Sequence, residues 1–232
     1  MSAPSVPPRY LGLWRRVLLS APGVHDQTTL VLWMQTPQWH ADLRIPIDRP
    51  DCTGCRAVED CSADQLLGLL RQEGFAGFTT VNGDICEWHR RFDYRPTGRR
   101  DIALMRFAPS GDAIDEIGVE ADYSERWERV STADGLQAWL VDATEGVPVV
   151  WLRSGAHFMR VRQSGLAAAE SEAAWHAARA GQADLSTLRS LVDFTIDFGD
   201  IAGTHGLVRH ATLPWREGLR IALPERITTP AA

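Results

Sequence analysis

Residues 77–94, GFTTVNGDICEWHRRFDY, hold the signal that decides the fold class. Asn82-Gly83 is the dipeptide favoured in type I′ turns, where both central residues take positive φ. It is flanked by runs rich in aromatic and β-branched residues, which suit a pleated surface. The stretch therefore reads as an antiparallel hairpin. On its second arm Cys86, Trp88, Arg90, Phe92 and Tyr94 fall on one face, and Glu87, His89, Arg91 and Asp93 on the other, because side chains alternate along a strand. Similar runs lie on both sides of it. Upstream are LGLWRRVLL (11–19), TTLVLWMQT (28–36) and HADLRIPI (40–47). Downstream are RDIALMRFA (100–108), AIDEIGVEADYSERWERVS (113–131), LQAWLVDA (136–143), VPVVWLRS (147–154), GAHFMRVRQ (155–163), LVDFTIDFGDI (191–201), HGLVRHATL (205–213) and GLRIAL (218–223). Turn residues separate most of them, which favours an antiparallel meander over alternating β and α units.

Two segments have a helical pattern instead. CSADQLLGLLRQEG (61–74) offers Ser62 as N-cap and Gly74 as stop, and SGLAAAESEAAWHAARAG (164–181) runs from Ser164 to Gly181. The expectation is a mainly β protein, an antiparallel up-and-down barrel of about ten strands with two short helices. It forms one domain over 1–232, with disordered ends at 1–9 and 226–232 and a cysteine-bearing insertion at 51–62.

The chain has 232 residues, 44% hydrophobic and 23% charged, with a formal charge of −6. Nucleic-acid binding relies on a basic face, so no polynucleotide partner is expected. The N-terminal stretch lacks a charged region followed by an apolar run, and no segment reaches the length of a membrane span, so a cytoplasmic protein without a membrane partner is expected. The four cysteines are then not read as a disulfide framework.

Gly12-x-Trp14, opening the first strand, resembles the Gly-x-Trp signature of lipocalins, which are ligand-binding barrels. The wider pattern, with VLWMQT, ADLRIP, EWHRRFDY and TLPWREG, resembles bacterial relatives of the fungal Hri1 family. That resemblance implies a lipocalin-like fold and brings no settled activity with it.

Candidate site residues follow from strand faces. In 38–46, Trp39, Ala41, Leu43 and Ile45 oppose His40, Asp42 and Arg44. The polar row either faces water or, if helices cover the apolar row, lines the barrel interior. The second arrangement is expected, with Asp42 paired to Arg90, because a guanidinium among Trp88 and Phe92 needs a carboxylate or an anionic ligand. In DYSERWERV, Tyr123, Glu125 and Trp127 share a face. Asp42, Arg44, Trp88, Arg90, Tyr123 and Trp127 are thus the candidate ligand-binding residues. Glu125 between two aromatics, with His157 across the barrel, forms a candidate acid/base pair.

CTGCRAVEDC gives Cys52-x2-Cys55-x5-Cys61, with Cys86 on a strand. C-x2-C is half of a common zinc site, but the usual second half is missing. Free thiols are expected, with no metal and no cofactor. The functional expectation is binding, in the barrel, of a small, largely apolar molecule that carries a polar or anionic group. The alternatives are a barrel enzyme for isomerisation, cyclisation or hydration, and an interaction module without ligand. The oligomeric state is left open.

Overall fold

In the computed structural model, which describes residues 6–132, 135–142, 147–166 and 168–228, Gly83 takes φ +63° in the turn that the Asn-Gly pair implies. Strands β1 (Gly12–Ala21), β2 (Val24–Asp26), β3 (Leu30–Gln35), β4 (Trp39–Ile45), β5 (Glu73–Asn82), β6 (Ile85–Asp93), β7 (Asp101–Phe107), β8 (Ala113–Gly118) and β9 (Ser124–Ser131) form one antiparallel sheet. β9 returns to pair with β1 from Leu13 opposite Ser131 to Ser20 opposite Ser124. β2 is a short arm folded back on β1. The closed barrel therefore has eight strands, β1 and β3 to β9.

The antiparallel barrel class holds, but the strands are divided differently from a single ring of about ten. Once β9 has paired with β1 the ring has no free edge, and later strands cannot join it. They build a second, open sheet of six: β10 (Gln137–Asp142), β11 (Pro148–Ser154), β12 (His157–Arg162), β13 (Thr195–Ala202), β14 (His205–Ala211) and β15 (Arg220–Ala222).

The described residues include four helices: α1 (Ala63–Leu69), α2 (Ala168–Arg179), α3 (Leu185–Val192) and α4 (Glu225–Thr228). Two were expected. α1 starts as its sequence implies, with a reciprocal capping box: Gln65 N donates to Ser62 Oγ at 3.2 Å and Ser62 N to Gln65 Oε1 at 2.9 Å. It ends at Leu69, before the expected stop. Gly74 belongs to β5, where a Cβ would lie 2.4 Å from Ile196 Cδ1, so glycine is there for close packing. α3 covers 185–190, which the sequence pattern assigns to no element, and ends on Leu191 and Val192, which read as the start of a strand. Its signal is Asp184, whose Oδ1 accepts from Thr187 N at 2.7 Å.

Three apolar clusters result among the described residues, one of them between the second sheet and α4 around Trp151, Phe158, Val208 and Ile227. Trp14, Trp33, Trp88, Met105, Ile114 and Trp127 fill the barrel. Trp33 meets Trp88 and Trp127 edge to face at 5.8 and 5.7 Å between ring centroids. Outside the barrel Leu13, Leu32, Met34, Trp39, Ala41 and Leu43 pack with Val150, Leu152, Met159 and Val161 of the second sheet. Leu66 and Leu69 of α1 and Leu188 and Leu191 of α3 complete this layer. The barrel's outer wall is thus the core it shares with the second sheet and the helices.

Part of each expected disordered end is ordered. Val6 is 2% exposed and donates its N–H to Pro37 O, while Tyr10 is fully buried. At the other end Ile227 of α4 is fully buried. Residues 1–5 and 229–232 lie outside the described residues. Among the described residues no helix is long and apolar enough to cross a membrane.

Gly12 sits at the seam. It takes φ +122°, and a Cβ there would lie 2.5 Å from Ser131 O across the β1–β9 pairing. Gly12→Ala combines a disallowed dihedral with a backbone clash, so it should lower stability by about 3 kcal/mol. A urea midpoint close to wild type would show that the seam tolerates a side chain.

Candidate functional site

Both faces of β4 are buried, apart from Arg44, which is partly so. Trp39, Ala41, Leu43 and Ile45 point outward into the layer shared with α1. His40, Asp42 and Arg44 point into the barrel. His40 and Arg44 pack near Phe75.

The barrel interior therefore holds charge, and the charges pair among themselves. Arg44 Nε donates to Asp42 Oδ1 at 2.7 Å, and Arg44 Nη1 lies 3.7 Å from Glu125 Oε1. Arg16 Nη1 donates to that same Glu125 oxygen at 2.6 Å, and its Nη2 reaches Asp26 at 3.0 Å. Arg90 is held at 2.6 Å by Asp101 and at 3.3 Å by Asp93, with its guanidinium 3.6 Å from the Phe75 ring centre. The expected Asp42–Arg90 bond is not formed. Arg44, two residues along the same face, takes Asp42, while the β6–β7 register sets Asp101 opposite Trp88 and so beside Arg90.

A bulge in β6 also corrects the expected face. Gly77 pairs with Arg90 and Ala76 with Phe92, leaving Arg91 extra. A one-residue shift swaps the faces beyond it. Cys86, Trp88 and Arg90 remain inside, whereas Phe92 and Tyr94 turn to the outer layer.

Tyr123 OH donates to Glu116 Oε1 at 2.8 Å and Trp127 Nε1 to Glu116 Oε2 at 3.0 Å. Burial, with Glu125 nearby, pushes the Glu116 carboxyl well above the usual range. Burial also lifts Asp42, against the opposing pull of Arg44. It works against the Arg44 cation as well, but Asp42 and Glu125 outweigh it there and keep Arg44 charged.

The structure thus gathers Asp42, Arg44, Trp88, Arg90, Tyr123 and Trp127 in one interior, and there they occupy each other. The remaining void, lined by Trp33, Asp42, Arg44, Trp88, Glu116 and Trp127 among others, measures about 10 Å³. That is room for about one water. Glu125 and His157 are not brought together. His157 lies on β12 of the second sheet, with Nδ1 3.1 Å from Asp200 Oδ1 and its ring stacked on Phe198.

The larger spaces lie outside the barrel interior. One cleft of about 440 Å³ is lined by Arg56, Arg160, Arg162, Arg189 and Arg216, with Val58, Leu213 and Trp215 as apolar wall. Beneath it the fully buried Asp197 takes Arg216 through two bonds of 2.7 Å and Arg160 at 3.2 Å. Arg162 reaches Asp193 at 3.2 Å. Arg189 Nη2 donates to Glu59 O at 2.8 Å, while its Nε is buried with no protein acceptor. Burial holds Arg160 below the usual guanidinium range.

Sequence reasoning missed this cleft. The signal was Arg160 and Arg162, two apart on one face of a strand whose other face was read for His157, Met159 and Val161.

A second cleft, of about 600 Å³, shares Trp215 and has Cys52 and Cys55 in its wall. Cys52, Cys55 and Cys61 are free thiols whose Sγ atoms lie within 4.8 Å of one another. Cys86 packs inside the barrel, fully buried, as its strand face implied.

Two tests follow. Asp42→Asn leaves Arg44 with only the more distant Glu125, so the variant should lose about 3 kcal/mol of stability. A shift of a few tenths would mean that the carboxylate contributes little. His40 is fully buried, and burial, with Arg90 and His89 adding repulsion, lowers its pKa to about 3. The folded chain thus binds this proton only near pH 3, and the unfolded chain near pH 6.5. Stability from this group is complete above pH 6.5 and falls with acid by up to about 1.4 kcal/mol per pH unit. His40→Gln should flatten that slope in urea titrations between pH 6.5 and 4. An unchanged slope would assign the acid sensitivity elsewhere.

No protein-family profile matches the chain, and no curated protein sequence matches it. Among solved structures, the crystal structure of the uncharacterized protein YLR301w from Saccharomyces cerevisiae is similar over 95% of this chain and 89% of that chain, at a TM-score of 0.47 and 13% sequence identity.

Proposed function

We propose that this protein binds a small anionic molecule, of phosphate or carboxylate type with a flat or apolar body, in the arginine-lined cleft between β12, α3 and residues 56–59. One observation carries the reading: five guanidinium groups line a single cleft of about 440 Å³ in a chain of formal charge −6. Within reach, Asp197, Asp193 and the exposed Glu59 supply fewer carboxylates than there are cations. Guanidinium forks match phosphate and carboxylate geometry through paired bonds. Trp215, Leu213 and Val58 add the apolar wall that small-molecule sites combine with a few placed polar groups. Of the polar or anionic group expected from sequence, the arginines favour the anionic form. The ligand's place moves from the barrel interior to a cleft built by the second sheet, α3 and residues 56–59.

A place among the bacterial relatives of the Hri1 family, and a cytoplasmic setting, belong to the same proposal. The first rests on Gly12-x-Trp14 and the strand stretches quoted with it. The second rests on cysteines that are unpaired.

Calorimetric titration with phenyl phosphate, benzoate and inorganic phosphate tests the reading. Phenyl phosphate should bind more tightly than inorganic phosphate, and binding should weaken with added salt. Arg162→Ala and Arg189→Ala should each weaken it about tenfold or more, the effect of losing one charged hydrogen bond. Each variant also gives up its own bond, Arg162 to Asp193 and Arg189 to Glu59 O, so stability should fall by about 1 kcal/mol with the fold retained by circular dichroism. No measurable heat with any of the three anions, or unchanged affinity in both variants, would overturn the proposal.

A further inference from the structure

We propose that Cys52, Cys55 and Cys61 form a thiolate site for one zinc ion, with solvent as fourth ligand. The missing second half of a zinc motif argued against a metal in the sequence. The fold supplies the third ligand another way, because the short 3-10 turn Val58–Asp60 carries the chain back and sets Cys61 beside the C-x2-C pair. The three Sγ atoms lie within 4.8 Å of one another. At a zinc–sulfur distance of about 2.3 Å, tetrahedral geometry spaces thiolates about 3.8 Å apart. Closing the cluster on a metal therefore needs side-chain rotation and no rearrangement of the loop.

The sulfurs make two long contacts, Cys61 Sγ donating to Ala57 O at 3.8 Å and Cys55 Sγ to Gln65 Oε1 at 3.9 Å, but shorter bonds hold the loop. Cys55 N donates to Cys52 O at 3.0 Å, and Cys61 N to Val58 O at 3.3 Å. Thr53 N donates to Asp51 Oδ1 at 2.8 Å. Arg56 N and Ala57 N both donate to Asp60 Oδ2, at 2.8 and 3.1 Å. Gln65 on α1 ties the loop down by donating to Asp51 O at 2.8 Å. Gly54 takes φ +94° with open space where a Cβ would be, so its role is the bend between the first two cysteines. Cys52 and Cys61 are buried and Cys55 is half-buried, which leaves the cluster one side to solvent. Among the described residues no His, Asp or Glu completes the group, and water is then the fourth ligand. Binding involves no oxidation: three thiols release three protons to the buffer, and the Zn²⁺ with three thiolates carries a net charge of −1.

The test uses the full chain, reduced and stripped with a chelator. Zinc titration against a chromophoric chelator should end at one ion per chain, and thiol counting should then find Cys52, Cys55 and Cys61 protected. Cobalt(II) in place of zinc should give intense visible bands of tetrahedral coordination and a near-ultraviolet thiolate charge-transfer band. Cys55→Ser should weaken zinc at least a hundredfold, and its half-buried position keeps the fold independent of the change, which circular dichroism verifies. Cys86→Ala should leave metal affinity unchanged. The proposal fails if binding is substoichiometric, if it survives Cys55→Ser, if cobalt shows only weak octahedral bands, or if intact mass under reducing conditions shows a persistent disulfide.

Discussion

The structure depends on how one arginine closes a ring. Arg129 on β9 donates Nη1 to Leu11 O at 2.5 Å, Nη2 to Arg9 O at 2.9 Å, and both Nε and Nη2 to Gly111 O. Its guanidinium lies 4.0 Å from the centre of the Trp14 ring. A single side chain thus joins the last barrel strand, the start of the first and the β7–β8 connection. Burial works against its charge, and carbonyls with an aromatic face meet that charge where no carboxylate is bonded to it. With the ring closed there, Trp14 is fixed by its own bond to Tyr10 O at 2.8 Å, and the N-terminal segment seals that end.

Closure also explains how so many charges are carried inside. An arginine left alone in a dry interior would be prohibitive, but the strand register supplies Arg16, Arg44 and Arg90 with Asp26, Asp42, Glu125, Asp93 and Asp101. Such networks contribute less net stability than apolar packing of the same volume, and they resist partial disassembly because each deletion strands a partner. The barrel is therefore filled and specific at once, and an open lipocalin-like cavity is traded for rigidity. The proposed binding site lies outside the barrel, where five guanidinium groups line one cleft.

Much of this was readable from local pattern. Asn82-Gly83, the period-two alternation of β4 and the Ser62 cap each report a conformation set by near neighbours. Gly12-x-Trp14 speaks only through its resemblance to lipocalins; the φ of +122° at Gly12 depends on the β1–β9 seam. The readings that changed depend on distant partners. Nothing near residue 131 says that β9 will meet β1. Gly77, whose Cβ would lie 1.9 Å from His89 O, accommodates the bulge that turns Phe92 and Tyr94 outward, yet alternation alone continues through it. Arg56, Arg160, Arg189 and Arg216 come from four separate segments. The Cys61 sulfur joins its partners only because a tight turn intervenes.

β4 is sealed on both sides, by ion pairs and indoles within and by the second sheet and helices without. Its peptide N–H groups have no direct path to water. For deuterium to reach them, the barrel and the packing of the second sheet must open together. The two sheets, distinct in topology, are therefore coupled at β4, and its amides should exchange only when both open together.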